Sequence, residues 1–174
     1  MKKVLSIILA VIMFACAVPV CSYAAAKDEK IVIELRSDIA GMTYRDYEKF
    51  AVIHSDNIRF DLTEDPEPAF VTNCVGSIIF DEMKPGRKYV ICYTFYAADG
   101  FEIPDEMNED TIEVICSENV NPYWYGKTVG PLRDGKPLYS LTMHTEVRVD
   151  GNFFQNLFGR IADLILRIKA WSPY

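Results

Sequence analysis

The segment LYSLTMHTEVRVD, residues 138–150, alternates apolar and polar side chains along most of its length. The apolar set is Tyr139, Leu141, Met143, Val147 and Val149, and the polar set is Ser140, Thr142, His144, Glu146 and Arg148. A period of two predicts a β-strand that buries one face and exposes the other, as strands of antiparallel sheets do. The expectation for the body of the chain is therefore a β-rich fold.

Six further segments have the alternation or the short apolar runs of strands: 30–37, 50–53, 57–62, 70–80, 88–97 and 111–116. Turn signals separate them, namely DPEP, KPGR, Asp99-Gly100, NPYWYG and Asp134-Gly135. About seven short strands between turns predict an antiparallel sandwich. Residues 43–50 fit either one helical turn or the approach to a strand, and no long helix is predicted before Gly151.

The segment NFFQNLFGRIADLILRIKAW, residues 152–171, has the spacing of an amphipathic helix. At about 100° per residue, nine apolar side chains fall within an arc of about 140°. This apolar arc consists of Phe153, Phe154, Leu157, Phe158, Ile161, Leu164, Ile165, Ile168 and Trp171. Opposite it lie Gln155, Asn156, Arg160, Asp163 and Arg167, with Lys169 at the border and Leu166 as the one apolar residue out of place. Asn152 and Gln155 have the spacing of a capping box, which predicts where the helix begins.

This helix is too charged to cross a membrane. Arg160, Asp163, Arg167 and Lys169 lie inside the only candidate span, and each costs about 2.5–3.5 kcal/mol at a bilayer centre. Nine large apolar side chains nevertheless require a cover. This cover could be a membrane interface, or it could be the protein's own body or a second copy. The third alternative is that the segment acts as a lytic or signalling peptide.

The N-terminus has the features of an export signal. Lys2 and Lys3 precede an apolar run, Val4 to Ala15, which is too short to span a bilayer, and small residues follow. We expect a signal peptide at 1–26, cleaved within 24–26, and a mature protein that is secreted or held at the outer face of the cell membrane. The alternatives are a lipoprotein modified at Cys16 and a leader that stays uncleaved as an anchor.

Charge limits the partners. After residue 26 the chain carries 16 Lys and Arg against 25 Asp and Glu, a net −9, of which the segment from Asn152 contributes +2. The remaining −11 repels nucleic acid, so no nucleic-acid partner is expected. The predicted organisation is a leader at 1–26, a β-domain at 27–151, the helix at 152–171 and a terminus at 172–174.

Residues 83–104, MKPGRKYVICYTFYAADGFEIP, carry a family resemblance. They resemble a segment of small immunoglobulin-like domains of Gram-positive secreted and surface proteins, in which a Gly-Lys-x-Tyr strand runs into an Asp-Gly-aromatic turn. The matching positions are Gly86, Tyr89, Ile91, Tyr93, Asp99, Gly100 and Phe101, and Gly41 in 38–47 is loosely similar to the opening turn of such domains. The resemblance implies an immunoglobulin-like sandwich with a non-catalytic role as a spacer, stalk or adhesion module.

No catalytic motif is present. A small hydrolytic enzyme would require His54 or His144 to meet a nucleophile in the fold, so we expect a protein that is not an enzyme and has no cofactor. The best candidates for a metal site are Asp105, Glu106, Glu109 and Asp110, but they lack EF-hand spacing, and a solvated loop is the favoured interpretation.

Three consecutive aromatic residues, Tyr123, Trp124 and Tyr125, are predicted to lie in a loop. Exposed rings there could stack on a glycan or anchor a protein ligand. The cysteines that remain after the leader are Cys74, Cys92 and Cys116, and an odd number leaves their pairing open.

The sequence thus favours an exported, non-catalytic bacterial surface protein held at the membrane face by its helix. The alternatives are a secreted carbohydrate- or protein-binding module and a small enzyme.

Overall fold

The computed structural model describes residues 30–60, 69–133 and 136–172, and the expected leader with Cys16 lies outside them. The described residues form eight β-strands, one α-helix and a short 3-10 helix at Tyr44–Lys49. The strands are β1 Ile31–Leu35, β2 Ala51–Ile53, β3 Ile58–Arg59, β4 Ala69–Asn73, β5 Lys88–Ala97, β6 Ile112–Cys116, β7 Val120–Arg133 and β8 Lys136–Arg148. The helix, α1, is Phe153–Trp171.

The strands form two sheets. The smaller has the order β2-β1-β6, and the larger has the order β7-β8-β5, with β3 and β4 both pairing with the far edge of β5. Every pair is antiparallel except β1 and β6, which run parallel. The expectation of a mainly β, mostly antiparallel fold with one C-terminal helix is confirmed, with eight strands described where about seven were expected.

The two sheets share one hydrophobic core. Alternate residues of β1, β5 and β8 point into it, as their period of two predicts. The fully buried members from these strands include Ile31, Ile33, Leu35, Ile91, Tyr93, Phe95, Leu141, Met143 and Val147. The core thus takes up the inward face of the large sheet, and the alternate residues of β4, β5, β8 and β7 point to its outward face.

Residues 121–126, which turn signals placed in a loop, lie within β7. Consecutive aromatic side chains favour strands, and the proline is tolerated because β7 is an edge strand with a bulge between Pro122 and Trp124. The turn prediction was therefore wrong. The break expected at Gly76 is present, since β4 ends at Asn73 and Gly76 adopts a φ of 88° in the following turn.

One buried polar group stands out in β8. The Thr145 side chain is fully buried on the core face, and its hydroxyl finds no hydrogen-bond partner among the described residues. A buried hydroxyl without a partner costs about 1–3 kcal/mol relative to an apolar group of the same shape.

Thr145→Val should therefore raise the free energy of unfolding by about 1 kcal/mol, because it replaces the hydroxyl with a methyl group of similar size. Thr145→Ser keeps the hydroxyl, loses the methyl group and should lower stability by about 0.8 kcal/mol. Urea unfolding followed by circular dichroism measures both. A destabilised valine variant would mean that the hydroxyl is satisfied.

Candidate functional site

Helix α1 contacts the body, residues 30–151, through the side opposite its apolar arc. The positions that are not exposed are Asn156, Gly159, Ala162, Asp163 and Leu166, which lie along one stripe with Gly159 and Asp163 the most buried. At about 100° per residue the centre of this stripe lies about 170° from the centre of the arc. Leu166, which looked misplaced on the wheel, belongs to this contact.

Two glycines bring the backbones of the helix and the body together. A Cβ atom added to Gly159 would lie 2.1 Å from the carbonyl oxygen of Gly86, and one added to Gly86 would lie 2.1 Å from that of Gln155. Gly86 also has a φ of 76°, which favours glycine. The helix therefore seats directly on the turn that precedes β5, with no side chain between them.

Asp163 fixes the helix to the large sheet. Its carboxylate accepts hydrogen bonds from Arg87 Nε at 2.7 Å, the Lys88 backbone N–H at 3.2 Å and Arg148 Nη1 at 3.4 Å. Arg148 Nη1 also donates to the Gly86 carbonyl at 2.6 Å. Asp163 is only 5% exposed, and the guanidinium groups of Arg87 and Arg148 balance its negative charge inside the contact.

The apolar arc is exposed. All nine of its side chains reach solvent, from 43% exposure at Leu157 to 89% at Trp171. The helix packs on its own domain through the side opposite the arc, so the body does not cover the apolar side chains as one of the alternatives expected. No described helix is long and apolar enough to cross a membrane.

Basic residues border the arc. At about 100° per residue, Arg160 and Arg167 flank one edge and Lys169 flanks the other. No ion pair joins these three residues to any part of the chain that the structure describes. Because the only acid of the helix is buried, the helix surface that faces solvent is apolar and cationic.

A second feature lies on the outward face of the large sheet. Phe70, Cys92, His144 and Trp124 stand side by side on β4, β5, β8 and β7 and form a row across four strands. We call it the Phe70–Trp124 row. Cys92 Sγ lies 3.4 Å from His144 Nε2, and the Trp124 ring meets the His144 ring edge to face at a centroid distance of 5.0 Å. His144 thus meets a thiol, while no disulfide joins Cys92 to the other two described cysteines.

The aromatic residues of β7 are all exposed, Tyr123 to 53%, Trp124 to 48% and Tyr125 to 37%. The Trp124 indole lies over Gly126, where a Cβ atom would come within 3.0 Å of it. Tyr123 lies in the bulge, with its ring 6.1 Å from that of His144. The glycan- or protein-binding alternative now concerns an edge strand rather than a loop.

The other candidates do not converge. Asp105, with Glu102, binds the Lys127 ammonium at 2.8 and 3.1 Å, and the hydrogen bond to Asp105 raises the pKa of Lys127. Glu106, Glu109 and Asp110 form no cluster of three metal-ligating side chains within the described ranges. His54 Nε2 lies 3.1 Å from Glu34 on an exposed part of the small sheet.

The residues that hold the helix, Gly86, Arg87 and Arg148, were not predicted. A signal for them was present in the helix itself, where Gly159 costs about 1 kcal/mol of helix propensity and Leu166 breaks the amphipathic pattern. Gly159, Asp163 and Leu166 together mark a second stripe on the helix, opposite the apolar arc, which indicates a second contact.

Gly159→Ala should loosen this contact although alanine is the better helix former. The added Cβ atom collides with the Gly86 carbonyl, so we expect faster hydrogen exchange in 153–166 and faster tryptic cleavage at Arg160 and Arg167. Leu157→Ala, two residues away on the exposed arc, is the matched control and should leave both rates unchanged. Equal protection in the glycine and alanine forms would contradict the backbone contact.

Comparisons of the chain with protein-family models, with curated proteins and with solved structures find no match. The functional argument therefore rests on two features of the described residues. These are a clamped helix whose apolar arc faces solvent and the Phe70–Trp124 row on the large sheet.

Proposed function

We propose that the protein is an exported, non-catalytic bacterial interaction protein whose immunoglobulin-like body is held at a membrane surface by α1. One observation carries this proposal: the body holds the helix by the stripe opposite its apolar arc, so the nine apolar side chains point away from the body. A helix docked in this way is pre-oriented for a flat apolar interface, because binding needs no folding and little reorientation.

The charges favour lipid as the cover. Arg160, Arg167 and Lys169 border the arc, where they would meet the headgroups of an anionic membrane once the apolar side chains are immersed. Each basic residue near such a surface contributes about 1 kcal/mol. Burial of Asp163 in the clamp raises the charge that the helix presents from +2 to +3.

The acidic body opposes binding less than its charge suggests. The helix is roughly 10–12 Å across with its side chains, and it lies between the body and the surface that its arc faces. At physiological salt the Debye length is about 8 Å, so the body's repulsion is screened over that distance. The arc itself contributes more, since immersing nine partly exposed apolar side chains gives on the order of 9 kcal/mol before the cost of immobilisation.

A second copy fits the arc less well, because it would bring the basic border of one helix, Arg160, Arg167 and Lys169, close to the same three residues of the other helix. An anionic membrane presents headgroups of opposite charge to these residues, and the affinity of the helix for it grows with the apolar area immersed.

The remaining parts of the proposal have separate support. Two mostly antiparallel sheets around one core, together with the motif at 83–104, favour an immunoglobulin-like sandwich. A non-catalytic role is favoured because Cys92 and His144 lie in the middle of a sheet, where the backbone N–H groups are engaged in strand pairing and cannot form an oxyanion hole. The leader-like sequence at 1–26 supports export.

The test is co-sedimentation with vesicles. The full chain is produced in a bacterial host that exports it, and the product is mixed with vesicles of phosphatidylglycerol and phosphatidylcholine. We expect binding that Ile168→Gln combined with Leu164→Gln abolishes. Arg167→Gln should weaken binding by about 1 kcal/mol, roughly five-fold, and high salt should reduce the difference.

The matched control is Val129→Gln, since Val129 on β7 is 57% exposed and Ile168 is 59% exposed. This variant should bind vesicles as the unmodified chain does. Light scattering of the same samples measures their mass. If the unmodified chain is a dimer that the helix variants convert to a monomer while vesicle binding is absent in both, the cover is a second copy and the membrane proposal is wrong.

A further inference from the structure

The central part of the large sheet's outward face carries no acid, lysine or arginine. It consists of the Phe70–Trp124 row and of the next cross-strand row, which is Thr94, Thr142 and Gly126 on β5, β8 and β7. We call the latter the threonine row. Lys88 and Glu146, which follow on this face toward α1, pair with each other. The ligand that this surface suits is therefore uncharged, although residues 27–151 have a net charge of −11.

The threonine row is the floor of a shallow groove. Its members have small side chains or none, whereas His144 and Trp124 stand on one side of it and Tyr96 stands on the other. Successive residues on one face of a strand are about 7 Å apart, so these side chains border the row closely. The groove runs across β5, β8 and β7, at right angles to the strands.

The floor offers two hydroxyl groups. Thr94 and Thr142 are directly opposite each other in the register of β5 and β8, and both are half-buried. Neither hydroxyl bonds to another residue within the part of the chain that the structure describes. Each can therefore donate one hydrogen bond to a ligand and accept others from it.

An aromatic ring covers the β7 end of the floor. The Trp124 indole lies over Gly126, where a Cβ atom would come within 3.0 Å of it. The His144 ring holds the indole edge to face at a centroid distance of 5.0 Å, with Tyr123 on its other contact at 6.1 Å. Trp124 is 48% exposed, so a ring that the strand supports from below presents apolar surface to solvent.

We propose that this groove binds an uncharged glycan of β-1,4-linked hexopyranose units, with one sugar ring stacked on Trp124 and its neighbours hydrogen-bonded to Thr142 and Thr94. A hexopyranose with equatorial hydroxyls has C–H groups on its faces and hydroxyls at its rim. It therefore needs both an aromatic surface and hydrogen-bonding partners, which the groove supplies side by side.

The shape of the groove favours the β-1,4 linkage. This linkage gives an extended, flat chain, and each unit advances it by nearly the spacing of neighbouring strands, about 4.8 Å. Consecutive units would thus lie over β7, β8 and β5. An extended peptide fits less well, because peptides bind sheets by pairing with a free edge, and β5 and β8 are paired on both sides.

The test uses the exported product of the full chain without vesicles, so its result does not depend on the membrane proposal. Cellohexaose and chitohexaose, two uncharged β-1,4-linked oligomers, are titrated into it calorimetrically. We expect saturable binding of these probes and none of maltohexaose, whose α-1,4 linkage makes the chain coil. Absence of binding to both β-linked probes, or equal binding of maltohexaose, would overturn the proposal.

Trp124→Ala should weaken the affinity about five-fold or more, because it removes the stacking surface. Gly126→Ala should weaken it as well, since the added Cβ atom displaces the indole. Phe80→Ala is the matched control, because Phe80 is a 61% exposed aromatic residue outside the groove, in contact with Tyr44. Equal losses in the Trp124 and Phe80 variants would mean that the sugar has no defined site.

Thr142→Val keeps the shape of the side chain and should weaken binding about five-fold, the usual contribution of one hydrogen bond. Thr72→Val is its control, because the Thr72 hydroxyl already donates to the Val90 carbonyl on the same sheet. This control should bind as the unmodified chain does. Unchanged affinity in Thr142→Val would contradict the placement of the glycan over the threonine row.

A further readout leaves the groove intact. In Trp171→Phe, Trp124 is the one tryptophan, and its fluorescence emission should shift on saturation with the β-linked probe that binds. Unchanged emission at saturation would contradict stacking even if a groove variant failed to fold. Light scattering tests the other occupant: a dimer that Trp124→Ala converts to a monomer, without glycan binding, would show that a second copy covers this face and would overturn the proposal.

Discussion

The orientation of α1 depends on one buried carboxylate. Asp163 is almost fully buried and is bound by Arg87, Arg148 and the Lys88 N–H, which join the helix to β5 and β8 at the same end of the large sheet. A carboxylate buried without such partners would be costly, so the helix must place Asp163 against these groups. Because Asp163 lies opposite the apolar arc, the ion pair that anchors the helix also determines that the arc faces outward.

Much of the fold was predictable because it depends on local pattern. The alternation in β1, β5 and β8 identified the residues that fill the core, and Asn152 with Gln155 identified the helix start through a capping box that the structure contains. Strand β7 was missed because proline and glycine are turn residues unless a strand lies at a sheet edge, and edge position is a property of the whole sheet. The parallel pairing of β1 with β6 likewise depends on residues far apart in the chain.

The candidate sites also have a part that local pattern predicts and a part that depends on contacts between distant segments. The nine residues of the apolar arc followed from helical spacing alone, but the direction of the arc followed from contacts with Gly86, Arg87 and Arg148, which no periodicity reveals. Cys92 and His144 were each visible as residues of long strands. Their proximity depends on the register of β5 against β8, which the sequence between the two strands does not specify.

The parallel pair in the small sheet has a consequence for how the chain reaches its final form. Ile31 at the start of β1 is aligned with Ile112 of β6, so the first strand acquires that partner only after some eighty further residues are in place. Contacts between such distant segments close large loops and slow folding. The small sheet therefore cannot be completed before β6 is available, whereas β7 and β8 pair between neighbouring segments of the chain. The order in which the two sheets form should thus follow the sequence separation of their strands.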